Sequence, residues 1–369
     1  MAGAFALPTK YARIPWDPRV FVFAVCAAAF ALRLMLIQAG PDIDGDVYGH
    51  FGIGLKLRED PFDVDVHWVW LPLWHYAFAL LDWLGGGIQT MRWIDAVLSS
   101  LIPALLALLL HRAKREPLAV CAAALLSVAS PFVLDHGQSG EPETVFCLLL
   151  LGAAWLWQSK KPAFVGLCYA LACLLRYECW VLLPVLAYVS WREPQKRGWL
   201  AWLLPGLAVA AWVLVRWRSD GELLAFIAKN RAFVKDAQLH GVGVPEPLHR
   251  ALMLYTARIP WLEWGPIVLA APLGAFAFWR SAPRLVKWPA LVLLCFITYG
   301  WVRGQHLGLP RHFFAMVPAF AWMMAEGVAI ACRRTVGRVA VIAAMLWWLG
   351  WHMPHALWIV REYHVIYKR

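Results

Sequence analysis

The chain has 369 residues, 62% of them hydrophobic and 15% charged, with a mean hydropathy of +0.59. A soluble domain carries about 25% charged residues, so this deficit excludes a soluble globular protein, a disordered chain and a disulfide-stapled secreted module. The net charge of +11 points to nucleic acid in a soluble protein; here the placement of the charges decides its meaning, and it predicts no nucleic-acid partner.

A spanning helix needs about 20 apolar residues. Runs near that length are Pro18 to Ala39, Arg92 to Leu110, Pro117 to Leu134, Pro142 to Trp157, Trp199 to Val215, Glu263 to Trp279, Trp288 to Val302, His312 to Ala331 and Gly337 to Trp351. A further apolar stretch from Lys161 to Trp191 is broken at Arg176-Tyr177-Glu178. As one helix it would overshoot the bilayer and put Arg192, Lys196 and Arg197 opposite Lys160 and Lys161. A hairpin of two short helices puts both clusters on one side. The expected fold is therefore an all-α polytopic membrane protein, residues 1–369 forming one transmembrane domain of about 11 helices.

The segments between runs sort by charge. Segments 1–19, 111–116, 158–162, 191–198, 280–287 and 332–338 hold 17 Lys and Arg and three acids (Asp17, Glu116, Glu193), which places them on the cytoplasmic side. The loop 40–67 holds seven acids against Lys56 and Arg58 and belongs outside. The N-terminus is expected in the cytoplasm, as an uncleaved signal anchor, because no small-residue cleavage site follows. Within the first outer loop, 40–91, the aromatic stretch Trp68 to Trp83 is expected to lie in the interface or dip into the bilayer, as is the run after Asp46. Residues 216–262 form a long outer loop with short helices. High Ala, Leu, Trp and Arg usage and compact loops suggest a bacterial inner (plasma) membrane.

Polar groups near lipid are costly and need explanation. Eleven of twelve His fall in outer loops or at outer helix ends, so the outer face is expected to be functional. Pro41-Asp42-Ile43-Asp44-Gly45-Asp46-Val47-Tyr48 follows the first run directly. Three carboxylates in five residues repel one another, which raises a pKa or recruits a cation, and a carboxylate at the bilayer edge can take a proton from a hydroxyl. The plainer reading is a solvated acidic loop. Asp44 and Asp46 could hold Mg or Mn through oxygens and waters; no other cofactor is implied, and His50, four residues past Asp46, completes no ligand set. Arg176-Tyr177-Glu178 could grip a phosphate through its guanidinium or be an internal ion pair that tethers the turn. Arg303-Gly304-Gln305-His306 and Arg311-His312 gather four basic groups without an acid, an anion site in electrostatic terms. In Asp135 to Glu143, Glu143 is placed to cap a helix N-terminus, and Glu141 is freer to meet a substrate.

Taken together, Asp44-Gly45-Asp46-Val47-Tyr48 after the first run, Trp70-Leu71-Pro72-Leu73-Trp74, Arg176-Tyr177-Glu178 and Arg311-His312 resemble the GT-C glycosyltransferases, nearest to the polyprenyl-phosphate-sugar-dependent mannosyltransferase and aminoarabinose-transferase groups. The resemblance covers the architecture over most of the chain and the motifs at short patches. Many members carry a second acid directly after the first; here Gly45 intervenes, which leaves either Asp44 or Asp46 as the base.

What the resemblance implies is a GT-C-like bundle with an interfacial helix in its first outer loop. It also implies an enzyme moving a sugar from a polyprenyl-phosphate donor to a hydroxyl on a glycan, lipid or protein acceptor, with inversion. Asp44 or Asp46 would be the general base, and Arg176, Arg303, Arg311, His306 and His312 would neutralise the leaving phosphate. His50, Glu141, Tyr177 and Glu178 would join them in binding substrate. No soluble domain follows the last run, so acceptor recognition is expected from the outer loops. The alternative class is a transporter or glycolipid flippase, which demands charges near the bilayer midplane and paired broken helices.

Overall fold

The computed structural model describes residues 18–39, 45–307 and 309–358. It is 81% helical, with no strand among the described residues. In chain order the helices are α1 (Pro18–Ala39), α2 (Gly45–Glu59), α3 (Pro72–Trp83), α4 (Ile88–Ser99), α5 (Leu101–Arg112), α6 (Pro117–Val128), α7 (Pro131–His136), α8 (Glu143–Gln158), α9 (Pro162–Cys173), α10 (Leu183–Arg192), α11 (Leu200–Asp220), α12 (Ala225–Leu239), α13 (Leu248–Met253), α14 (Ile259–Trp264), α15 (Ala271–Ser281), α16 (Arg284–Val302), α17 (Val317–Ala331) and α18 (Thr335–Trp347). Many start where the sequence fixes a helical φ: Pro72, Pro117, Pro131 and Pro162 each open a helix, the position where a missing N–H costs nothing.

Among the described residues, seven helical runs are long and apolar enough to cross a membrane: Val20–Gln38, Ile88–Arg112, Leu200–Asp220, Leu248–Ser281, Arg284–Val302, Arg311–Ala331 and Thr335–Trp358. Large apolar side chains on these runs, such as Phe23, Phe276 and Leu346, stay exposed; water would penalise such surfaces and lipid does not. The chain is an integral membrane protein with seven candidate spans. The shorter apolar helices α6, α8 and α9 fall below the length of a straight crossing, so eleven spans requires these three and α10 to cross as well. Small residues let the helices close on one another. A Cβ on Gly274 of α15 would stand 1.9 Å from the Met323 carbonyl oxygen, and one on Gly327 of α17 would stand 1.9 Å from that of Ala270.

The two ends of the bundle differ. At one end the basic segments meet: Arg112 donates to Ser159 Oγ at 2.8 Å, Arg115 to Glu326 at 2.5 Å and Arg333 to Glu116 at 2.5 Å, while Arg284 grips Glu193. At the same end Trp157 Nε1 donates to Glu193 at 2.7 Å and Gln195 Nε2 to the Trp157 carbonyl at 3.0 Å. Residues 193–195 therefore return to where α8 ends, so the chain from Lys161 to Arg192 reverses direction. Arg176, extended at φ −140° before a 3-10 turn at Tyr177–Leu182, marks the reversal. Segments 216–262 are largely helical, through the end of α11, α12 and the start of the Leu248–Ser281 run. The stretch around Trp68 holds the 12-residue α3, and α2 has 15 residues.

Candidate active site

At the end of the bundle away from the basic cluster, four separate segments close on a cavity of about 180 Å³. The first is the start of α2, where Asp46 and His50 stand one turn apart on one face. The second is the turn after α7, carrying Glu141 and Glu143. Its backbone is fixed by α4, whose Arg92, Asp95 and Ser99 recur at helical spacing. Ser99 Oγ donates to the Gly137 carbonyl at 2.6 Å, Arg92 Nε to that of Gln138 at 3.1 Å, and Asp95 accepts from the Gly140 N–H at 3.1 Å. Trp74 Nε1 completes the cradle by donating to the Gly140 carbonyl at 3.0 Å. Gly140 has φ +91°, a conformation open to glycine at no steric cost. The third segment is Arg176-Tyr177-Glu178, and the fourth, after α16, supplies Gln305, His306, Leu307, Leu309, Arg311 and His312. Trp70, Trp74, Phe233 and Phe296 supply an apolar wall.

Two guanidiniums organise the cavity, each between two carboxylates. Arg311 donates to Asp46 and, through Nη1, to Glu141 at 3.3 Å. Glu141 is buried and also lies 3.1 Å from His136 Nδ1. Arg176 donates through Nη1 to Glu143 at 2.5 Å and through Nη2 to Glu178 at 2.8 Å, with His312 Nδ1 2.9 Å from Nη2. Burial opposes the charge on Arg176, but Glu178 and Glu143 outweigh it and hold the guanidinium above its usual value. Burial likewise pushes Glu178 up, yet Arg176, and then His306 and His312, keep its carboxyl well below the usual range. Tyr177 stacks on Phe226 with centroids 5.8 Å apart, and burial raises its phenol to about 12, so it is neutral at pH 7.

Nine residues singled out from the sequence thus line one cavity: Asp46, His50, Glu141, Arg176, Tyr177, Glu178, His306, Arg311 and His312. Asp44 lies outside the described residues. Arg303 does not line the cavity; it sits exposed at the C-terminal end of α16, where the helix end turns its side chain to the surroundings. Three features carried no local signal. Glu143, placed by the sequence at a helix N-terminus, also grips Arg176 from 33 residues away. The late loop has no acid of its own, but Asp46, Glu141 and Glu178 reach it from elsewhere. Behind His50 stand His75 and His67, buried and hydrogen-bonded in series.

A metal has two candidate positions. Asp46 holds Arg311, and Asp44, its partner in the sequence reading, lies outside the described residues. Glu178, His306 and His312 bring ligand atoms within 4.8 Å of one another, the donor set of a transition-metal site, but Arg176 donates to the same Glu178 oxygen and faces the same His312 nitrogen. A cation would have to displace that guanidinium. No protein-family model and no curated protein matches the chain.

Proposed function

We propose that the chain is a membrane glycosyltransferase of the GT-C kind, moving a sugar from a polyprenyl-phosphate donor to an acceptor hydroxyl at the extracytoplasmic face of a bacterial inner membrane. In this reading the basic end is cytoplasmic, α2 and α3 lie in the outer interface, and the shorter apolar helices cross to give about 11 spans. The observation that carries it is the meeting of Asp46 and Arg311, 265 residues apart, in a cavity that Arg176 also lines. A carboxylate and two guanidiniums beside an apolar wall supply a base, a phosphate clamp and a path for a prenyl chain.

The chemistry is a single displacement. The acceptor oxygen attacks the anomeric carbon while Asp44 or Asp46 takes its proton, the bond to the phosphate oxygen breaks, and the configuration inverts. Charge develops on the leaving phosphate, where preorganised donors act most strongly. Arg311 is held by Asp46 and Glu141, so a donor phosphate must draw it from one of them. If it leaves Asp46, that carboxylate is freed as the donor arrives. Among the described residues the cavity contributes four carboxylates (Asp46, Glu141, Glu143, Glu178) against two guanidiniums. A phosphodiester therefore brings a proton or an accompanying cation with it.

Transfer from a radiolabelled polyprenyl-phosphate sugar in membranes tests the reading. Loss of product with Asp44→Asn or Asp46→Asn, at unchanged protein level, supports a base at that position. Transfer that survives both substitutions overturns the base assignment. A transporter or flippase is the second reading, favoured by Arg33 and Asp95, both fully buried in helices long enough to span. Against it, Arg33 donates to the carbonyls of Ala29 at 2.8 Å and Val133 at 3.1 Å, and Asp95 fixes the Gly140 turn; both serve structure.

A further inference from the structure

One wall of the cavity continues into the protein as a row of imidazoles. His50 lines the cavity. Its Nδ1 lies 2.8 Å from His75 Nε2, and His75 Nδ1 lies 2.7 Å from His67 Nδ1. His67 and His75 are fully buried and His50 is 6% exposed. The far nitrogen, His67 Nε2, is buried without a hydrogen-bond partner. An unpartnered polar atom in a packed interior is costly, and structure alone gives no reason to keep three histidines in series there. The ring of His67 is boxed by Tyr76 and Trp212, with centroids at 5.5 and 5.4 Å. It ends a 3-10 turn that follows the exposed Asp60 and the half-buried Asp63.

Burial keeps the row uncharged. It lowers His75 to about 2, with His50 and His67 adding to the effect; it lowers His67 to about 4, aided by Arg216 and opposed by Asp63; and it lowers His50 to about 4, opposed by Asp46 and Glu143 and aided by Arg311 and Arg176. A neutral imidazole has one N–H donor and one acceptor nitrogen. A neutral row can therefore be ordered in two ways, all protons toward the cavity or all toward the far end.

We propose that His50, His75 and His67 form a proton relay between the cavity and the surface beside residues 60–66. A proton arriving on His50 Nε2 moves the Nδ1 proton to His75 Nε2. The His75 Nδ1 proton passes to His67 Nδ1, and the His67 Nε2 proton leaves to a water that enters past the acidic loop. One proton enters and one leaves, no bond between heavy atoms changes, and the row ends in its other tautomeric order. A proton passing back, or ring exchange with water at the two ends, restores it. His75 touches neither the cavity nor the reacting atoms and is a positioning and relay residue.

The test has an arm independent of glycosyl transfer. In protein labelled with ¹⁵N-histidine in nanodiscs, nitrogen–nitrogen couplings across both imidazole contacts are expected, and the His75 ring proton should exchange with D2O through either end. His50→Phe blocks the cavity end; exchange at His75 should persist through His67. Exchange stopped by His50→Phe, while His67→Phe leaves it intact, would show that the row is closed at the loop and overturn the relay. His50→Gln and His67→Gln repeat the test with a polar group that cannot pass protons, should the Phe forms fail to fold. The second arm rests on the transferase reading. His75→Gln is expected to lower turnover at least tenfold with donor KM unchanged and to alter the solvent isotope effect; unchanged turnover and isotope effect would oppose the relay. Wild-type protein that transfers nothing overturns the transferase reading alone, because the exchange arm still decides the relay.

Discussion

The buried histidine row makes a sharp prediction about acid. A histidine whose folded value lies far below its usual 6.5 stays neutral in the folded chain while the unfolded chain binds a proton. Its contribution is fully present above pH 6.5 and is lost as pH falls, down to about 4 for His50 and His67 and about 2 for His75. Between pH 7.5 and 5.5 each such group loses about 1.4 kcal/mol, so the three lose about 4 kcal/mol together. At roughly 2 °C per kcal/mol for a long chain, the thermal midpoint in detergent should fall by about 8 °C from this source. The perturbation that isolates one member is His75→Gln. Whatever it does to stability at pH 7.5, it should reduce the drop between the two pH values by about 1.4 kcal/mol, or about 3 °C. Scanning fluorimetry of both proteins at both pH values measures this, with the 24 Trp as reporter. Equal drops in wild type and variant would refute the claim that His75 is buried and neutral.

Other expectations concern the ion pairs and the packing. Arg176→Gln leaves the buried Glu143 and the largely enclosed Glu178 without their guanidinium and should cost about 3–5 kcal/mol; adding Glu178→Gln should recover part of it, which thermal midpoints of the single and double variants will show. Arg311→Lys keeps the charge but cannot serve Asp46 and Glu141 with one rigid fork, so transfer activity should fall at least tenfold while expression holds. Gly327→Leu drives a side chain into the Ala270 backbone and should destabilise by about 3 kcal/mol, visible as early aggregation on size-exclusion chromatography after heating. Trp74→Phe removes the donor to the Gly140 carbonyl and should cost about 1 kcal/mol, read from the same thermal scans.

Much of this was legible in the sequence because membranes impose strict local rules. Apolar length gave most helices, and the Lys and Arg bias gathered segments that the structure brings to one end. The break at Arg176 was legible because a 30-residue apolar helix is too long. Cavity membership was legible for Asp46, Arg176, Arg311 and His312 because polar groups near lipid need a purpose. Partner choice was not. The late loop looked like a free anion site, yet its Arg311 is met by Asp46 and Glu141, 265 and 170 residues away in sequence, a consequence of packing that no local spacing encodes. Arg303 carried the same local signal as Arg311 and ended up exposed. The histidine row was hidden for a similar reason: His50 and His75 are 25 residues apart, and only the packing of α2 on α3 joins them.

Photo-crosslinking tests most directly whether a lipid-linked phosphate occupies this cavity. A polyprenyl-phosphate probe with a diazirine near the phosphate, irradiated in nanodiscs and mapped by mass spectrometry, should label residues 69–74, 176–178 and 305–312, and Arg311→Gln should abolish that labelling. Labelling confined to the basic end, around residues 111–116 and 333–338, would contradict it.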